Sequence, residues 1–169
     1  MIISYVDERD GTTYQLIKIG GLFWSLTNLQ YKSEGSICYN NDETVSDLYG
    51  RLYDYDSAIK AIPDGFRLPT VDDYRDLYFM DNRGSALGFL LKSEIWPDYP
   101  KPINLYGFSA LPFGRAIKGE NLVFEGLGTK AYFMLDEAMS FSLHSFSMLS
   151  ILNKNKSIDY YSVRFVKNA

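Results

Sequence analysis

Residues 54–78 read DYDSAIKAIPDGFRLPTVDDYRDLY and carry the signals for two short helices with a stop between them. Asp54 is a residue type that caps a helix N-terminus, and apolar residues then recur at helical spacing as far as Ile62. Pro63-Asp64-Gly65 cannot continue that helix. Thr70 can cap the next helix, because a carboxylate follows three residues later, as in a capping box. The stretch therefore predicts one helix before the proline and another after Thr70.

Two adjacent carboxylates, Asp72 and Asp73, fall in the first turn of the second predicted helix. The helix dipole favours negative charge at that end. We therefore interpret both as structural; a pair of catalytic acids is the alternative.

Short apolar segments separated by turn residues lie on both sides of these helices. On the N-terminal side the predicted strands are 2–6, 13–19 and 22–28, with Gly20-Gly21 as a hairpin turn. On the C-terminal side they are 108–111, about 121–124, 131–135, 141–152 and 160–166. Strands, two helices and strands in that order predict an α+β fold. No linker or repeat divides the chain, so residues 1–169 are predicted to form one domain.

Four further segments are predicted to be irregular or short. Tyr31–Asp47 is polar and rich in turn residues, and Gly84–Lys92 is either a short helix or a buried apolar segment. Trp96–Pro102 contains three prolines and must be a loop. Asn153–Ser157 is predicted to be a polar hairpin between the last two strands.

The composition indicates a globular protein with many aromatic side chains. The chain has 14 Tyr, 11 Phe and 2 Trp, which suit both a β-rich core and a binding face. Its net charge of −4 and scattered basic residues argue against nucleic acid as a partner.

The N-terminal sequence and the cysteine content bear on the compartment. Residues 1–7 have no basic region or long apolar run, which predicts no signal peptide, and no segment is apolar enough for a membrane span. Cys38 is the single cysteine, so no internal disulfide can form. We expect folding in the cytoplasm, which is compatible with later display on a virion or a surface assembly.

Six blocks, in chain order from Asp10 to Lys167, resemble the Fibrobacter succinogenes major paralogous domain family. The blocks are Asp10-Gly11 with Tyr14, Lys18-Ile19-Gly20, Trp24, Asn28-Leu29 and Tyr31; Ser36-Ile37-Cys38-Tyr39; Tyr49-Gly50-Arg51-Leu52-Tyr53; Pro63–Thr70 with Tyr74 and Leu77; Gly107–Arg115; and Tyr161–Lys167. The resemblance implies a C-type lectin-like fold, related to the formylglycine-generating enzyme architecture. In that fold, two short helices pack on antiparallel sheets with long irregular loops.

Several positions depart from the family pattern. Ile62 and Phe165 stand where members commonly carry a pair of cysteines, so we expect packing to replace that disulfide. Cys38 lacks its usual partner and is predicted to be a buried or half-buried free thiol that is not a nucleophile. A Trp-Ser-Ser-Thr segment of the family is replaced by residues 134–137.

Four arginines lie within or beside the matching blocks. We expect them to pair with carboxylates or carbonyls at the edge of the core, with ligand contact as the alternative; they are Arg51, Arg67, Arg115 and Arg164.

The residues argue against catalysis. The related oxidase uses two active-site cysteines and iron-dependent relatives need a histidine cluster, whereas this chain has one cysteine and only His144. Ser142 or Ser145 with Asp136 could complete a triad by composition, but no nucleophile-elbow sequence surrounds His144. Trp96-Pro97-Asp98 lacks the first ligand of the calcium-dependent sugar-binding triplet. We therefore expect no cofactor and no catalytic metal.

The leading hypothesis is a non-catalytic recognition domain that binds a protein or a glycan through its C-terminal strands and loops, within 136–161 and the proline-rich loop. The predicted ligand-binding residues are Asp136, Glu137, Phe141, His144, Asn153, Asn155 and Tyr160. The alternative is that Phe141, Leu143, Phe146 and Leu149 simply pack in the core of the second sheet, and we expect this for at least half of them. The alternative function is a structural or receptor-binding subunit of a larger assembly, such as a phage tail or a surface appendage. In that case the chain would be a homo-oligomer or one subunit of the assembly. A divergent enzyme ranks third.

Overall fold

The computed structural model describes residues 1–169 apart from the side chain of Asp81. It has two β-sheets and four short α-helices, which confirms the predicted α+β class. The first sheet is antiparallel and joins the N-terminal strands to the end of the chain. In sheet order, its strands are β1 Ile2–Val6, β2 Thr13–Ile19, β3 Leu22–Ser25 and β9 Val166–Asn168. The predicted hairpin is confirmed, since β2 and β3 are joined by Gly20-Gly21 and Gly20 has a φ of +61°.

The helices lie between the two groups of strands. They are α1 Glu43–Tyr49, α2 Tyr55–Ala61, α3 Val71–Phe79 and α4 Leu87–Leu91. Both predicted caps are confirmed: Asp54 accepts from the Ser57 amide, and Thr70 and Asp73 form a reciprocal capping box. Helix α1 was missed, because the expectation of irregular structure over Tyr31–Asp47 overlooked Asp42 as a cap.

The second sheet has five strands and carries most of the C-terminal half. In sheet order, they are β5 Val123–Leu127, β4 Phe113–Ile117, β6 Lys130–Met134, β7 Ser140–His144 and β8 Ser150–Asn153. All neighbours are antiparallel except β4 and β6, which meet in parallel where Gly114 pairs with Ala131. The predicted strand 141–152 is therefore two strands joined by the turn 145–149, in which Phe146 has a φ of +58°.

The predicted strand over 108–111 is wrong, because the strand begins five residues later, at Phe113. The reason is the Arg164 guanidinium, which donates to the carbonyl oxygens of Phe108 and Ser109 at 3.2 Å each. Those carbonyls consequently serve a side chain rather than a strand ladder.

Residues 153–157 do not form the predicted hairpin. The chain leaves β8 and enters the gap between β4 and β6, where Tyr160 pairs with Ala116 and Ser162 with Phe133. Tyr161 pairs with Tyr53 at the same point. This segment therefore ties the second sheet to the helical layer.

The core is aromatic and includes both cysteine-replacing positions. Phe165 is fully buried, with its ring 5.0 Å from Tyr14 and 4.9 Å from Phe66, both edge-on. Ile62 packs against the same hydrophobic cluster, as expected if packing has replaced a disulfide. Cys38 is a buried free thiol, as predicted.

The four arginines have the predicted structural partners. Arg51 pairs with Glu43 at 2.7 Å, Arg67 with Asp73 at 2.6 Å and Arg115 with Glu125 at 2.8 Å. Arg164, which is fully buried, bonds to Asn28 and to carbonyl oxygens.

Candidate functional site

The predicted ligand-binding residues do not form one surface. Asp136, Glu137, Asn153 and Asn155 lie at one end of the second sheet, because Ser140 pairs with Asn153 at the start of β7. His144 lies at the opposite end of β7, where it pairs with Lys130.

Two of the predicted residues are largely inaccessible. Phe141 is 1% exposed and packs in the core with Phe133, at a ring separation of 5.0 Å. Tyr160 is 9% exposed and belongs to a small buried cluster with Phe113. We therefore correct the prediction that these two residues contact a ligand. The pleat of β7 turns Phe141 inward, and the main chain at Tyr160 is fixed between two strands.

Asp136 and Glu137 lie beside α2. The Tyr55 hydroxyl donates to Asp136 Oδ1 at 2.6 Å, and this hydrogen bond, followed by burial, raises the pKa of Tyr55. Glu137 and Ala138 have φ values of +57° and +60°. A shallow cavity of about 270 Å³ lies between this turn and the first turn of α3. Its acidic side chains are Asp72, Asp136 and Glu137.

A row of polar side chains crosses the face of the second sheet that carries Tyr132, from Glu125 on β5 through Arg115 to Ser142 and His144 on β7; Tyr132 and Ser142 are buried, at 8% and 7% exposed. The Arg115 guanidinium bonds to Glu125 and lies 4.6 Å from the Tyr132 ring centroid. Tyr132 donates to Glu125 at 3.2 Å. Ser142 Oγ and His144 Nε2 are 3.1 Å apart. We call these five residues the polar row.

His144 has an electrostatic environment that disfavours its charged form. Burial, followed by the nearby charges of Lys130 and Lys92, lowers the pKa of His144 below its usual 6.5. The ring is therefore neutral at neutral pH. Asp136 bonds to Tyr55 rather than to this histidine, so the triad that composition allowed is not assembled from Asp136.

Beside the polar row, five large apolar side chains are exposed on two adjacent loops. We call this group the tip, and it comprises Ile95 (59% exposed), Tyr99 (93%), Phe146 (73%), Met148 (57%) and Leu149 (53%). Single exposed apolar residues are ordinary, whereas contiguous apolar patches are the kind that mark interaction surfaces. The tip combines parts of two predicted regions, the proline-rich loop and 136–161.

A buried ion pair holds the two loops of the tip together. Lys92 is fully buried, and its Nζ donates to Asp98 Oδ1 at 2.6 Å and to the carbonyl oxygens of His144 at 2.6 Å and Ser147 at 2.9 Å. Asp98 Oδ1 also accepts from the Phe146 amide at 2.9 Å. The ammonium group lies 4.7 Å from the centroid of the Trp96 ring. We call Lys92 and Asp98 the clamp.

The clamp fixes a strained backbone. A phenylalanine at positive φ costs about 1–3 kcal/mol, and such residues persist only where the surroundings over-determine them. Here the hydrogen bond from Phe146 to Asp98 holds the residue in place. Helix α4 supports the turn from below: an added Cβ on Gly88 would lie 2.3 Å from the Leu149 carbonyl oxygen, so only glycine permits this approach.

Sequence reasoning missed the clamp and part of the tip. Lys92 ends an apolar run and looked like the polar end of a helix or buried segment, and Ile95 lies outside both predicted regions. The signal that could have found the clamp is Asp98, an acid between prolines in a loop anchored by Trp96.

Neither a metal site nor a membrane-spanning helix is found among the described residues. No group of three or more His, Cys, Asp or Glu side chains is placed to hold a metal ion. None of the helices in the described part of the chain is long and apolar enough to cross a membrane.

The sequence was also compared with known proteins. The family model of the Fibrobacter succinogenes major domain matches residues 4–167. The chain belongs to this family. No curated protein and no solved structure matches the chain. In this Fibrobacter succinogenes major domain, the blocks that carry the resemblance include Arg164 and its carbonyl partner Phe108. The clamp lies between matching blocks.

Proposed function

We propose that this chain is a non-catalytic recognition domain with a C-type lectin-like fold, and that it binds a protein through the tip. The observation that carries the proposal is the tip itself, in which five apolar side chains are exposed on loops that a buried ion pair holds rigid. Rigid display lowers the entropy that binding must overcome.

The chemistry of the tip favours a protein over a glycan. Sugars stack on aromatic faces, which Tyr99 and Phe146 offer, but Ile95, Met148 and Leu149 add aliphatic surface that suits apolar side chains of a partner. The polar row lies beside the tip and supplies hydrogen-bonding groups of the kind found at the rim of a protein interface. A protein partner would therefore bury the tip at the centre and contact His144 at the edge.

The test uses matched variants and two defined probes. Peptides selected from a phage-displayed library on the immobilised chain are measured against wild type, Phe146→Ser, Tyr99→Ser and the control Phe79→Ser. Phe79 is 68% exposed at the end of α3, close to the 73% of Phe146, and is not part of the tip. We expect each tip variant to weaken binding at least ~10-fold, which corresponds to about 1.4 kcal/mol, and the control to leave it unchanged.

The opposite result is equally clear. Selected peptides that bind all four proteins equally would place the binding site elsewhere. A printed glycan array serves as the second probe; sugar binding that is lost in the Phe146 and Tyr99 variants would assign the tip to a glycan instead.

The alternative function, a structural or receptor-binding subunit of a larger assembly, has one observation in its favour. Strand β8 ends the second sheet and has β7 as its neighbour on one side only. An open edge can extend a sheet into another chain.

A further inference from the structure

The two edge strands of the second sheet are built differently. On one edge, β5 contains the charged Glu125 and has Gly126 at a φ of +83°, opposite Gly114 at +71°. A charge and a backbone distortion are features that block pairing with another strand. On the other edge, β8 has the sequence Ser-Ile-Leu-Asn, with no charge, proline or glycine. It therefore lacks the protection that β5 has.

The side chains of β8 suit a strand that continues the sheet. Ile151 points to the outward face and is 50% exposed, whereas Leu152 packs against the main hydrophobic cluster. Ser150 points inward, with its hydroxyl 2.6 Å from that of Tyr74. In the described structure, β7 is the only strand that pairs with β8. The main-chain groups on the far side of β8 can be satisfied by another polypeptide strand, which a sugar or a lipid could not supply.

We infer that β8 pairs antiparallel with β8 of a second copy of this chain, giving a twofold-symmetric dimer with a continuous sheet. Centring the pair on Ile151 sets that residue opposite its own copy and Ser150 opposite Leu152. Residues that face each other across the pair then lie on the same face of the sheet, so outward side chains meet outward ones and inward side chains meet inward ones. One strand thus supplies both halves of a self-complementary contact, as a twofold interface requires.

The charges nearby do not oppose this pairing. The four residues of β8 are uncharged, and the exposed Lys154 and Lys156 follow beyond the strand. In the register centred on Ile151, Leu149 of each copy lies opposite Asn153 of the other, so the basic residues of the two copies fall at opposite ends of the paired strands. The contact therefore gains two buried Ile151 side chains without placing like charges opposite each other.

The size of the contact sets its strength. A stable interface buries about 800 Å² on each partner, and a ladder of four or five residues falls short of that alone. Met148 and Leu149, which precede β8 and are more than half exposed, must contribute. We therefore expect a weak dimer, with a Kd on the order of micromolar to tens of micromolar.

Light scattering on a dilution series of the whole chain tests the inference. Wild type is expected to pass from monomer to dimer mass as its concentration rises, and Ile151→Lys to stay monomeric. Val123→Lys is the matched control, because Val123 is also β-branched, is 55% exposed, and lies on the opposite edge of the same sheet. It should dimerise like wild type, and a urea titration of each variant verifies that it is folded.

Three results would overturn the inference. Wild type could remain a monomer up to roughly 0.5 mM, well above the expected Kd. Ile151→Lys could associate as wild type does, or Val123→Lys could abolish association. The dimer contact shares Met148 and Leu149 with the tip but does not include Phe146 or Tyr99: Phe146→Ser should still dimerise, so a failure of ligand binding and a failure of dimerisation can be told apart.

Discussion

The molecule buries two cations, Arg164 and Lys92, and surrounds them differently. Among the described side chains, no carboxylate pairs with Arg164; it bonds to Asn28 Oδ1 at 2.8 Å and to the carbonyl oxygens of Ser25, Phe108 and Ser109. Lys92 has an ion pair with Asp98 Oδ1 and also donates to the carbonyl oxygens of His144 and Ser147. Arg164 joins the segment that follows β3 to the segment that precedes β4, whereas Lys92 joins two surface loops.

The difference separates a contact that stabilises the scaffold from one that positions surface loops. Arg164 lies in a block that matches the family, and its partners come from β3, the 25–28 segment and the segment before β4. The clamp lies outside the matching blocks and holds the tip. One buried cation therefore stabilises the scaffold, while the other positions the surface that we propose binds a partner.

Replacing Arg164 should have the largest effect. Arg164→Met leaves three carbonyl oxygens and the Asn28 amide oxygen buried without a donor, and it also removes a guanidinium 4.8 Å from the Phe108 ring. We expect a loss of about 3–5 kcal/mol in the free energy of unfolding, measured by urea titration. Burial lowers the pKa of Arg164 to about 9, so the group is charged at neutral pH.

Arg164→Lys distinguishes geometry from charge. A lysine keeps the charge but cannot reach four acceptors on several sides, so it should recover only part of the loss. Arg75→Met is the control, because Arg75 is about half exposed and pairs with the exposed Asp72; it should change stability by less than about 0.5 kcal/mol. A fully stable Arg164→Met variant would mean that ordered water replaces the guanidinium.

Breaking the clamp should have a smaller global effect and a larger local one. Lys92→Met leaves the Asp98 carboxylate buried with no cation, and we expect a loss of about 2–4 kcal/mol. The double variant Lys92→Met with Asp98→Asn removes both charges and retains an acceptor for the Phe146 amide. It should be more stable than the single variant by ~1–2 kcal/mol. A double variant no more stable than the single one would show that charge burial is not the cause.

The helix caps and the Arg164 site show what the sequence could and could not predict. The caps of α2 and α3 were predicted because Asp54, Thr70 and Asp73 act on amides within three residues. The strand expected at 108–111 failed because its carbonyls are taken by Arg164, 55 residues or more away in the chain. No local pattern records such a contact. Caps and turns are local, whereas the partner of a buried charge is set by tertiary packing.

The same distinction between local signals and tertiary packing applies to the candidate site. The sequence of β7 alternates apolar and polar residues, but both faces of the strand are buried from Ser140 to Leu143, and so Phe141 was wrongly placed on the surface. The structure turns Phe141 and Leu143 inward and exposes Phe146 and Leu149, half of the four aromatic and aliphatic residues for which packing was the alternative. Phe146 is exposed because it lies in the turn after β7, where a positive φ ends the alternation.

Acid should separate the two buried-cation sites, with the smallest effect of those expected. Burial and the positive charges of Lys130, Lys92 and Arg115 hold the pKa of His144 below 6.5, and Glu125 opposes them. Protons therefore bind more readily to the unfolded chain, and the corresponding stability, present above pH 6.5, is lost as the pH falls below it.

Since the His144 carbonyl oxygen accepts from Lys92, the added charge acts on the clamp. Amide exchange of Phe146, which bonds to Asp98, should accelerate relative to the intrinsic rate as the pH falls below 6.5, whereas exchange of Phe165, which bonds to Ser25 beside Arg164, should not. The window lies above the acid transitions of Asp7, Asp73 and Glu125, whose pKa values are lowered in the folded chain. His144→Asn should abolish the difference; an identical acid response of the two amides in wild type would show that His144 does not act on the tip.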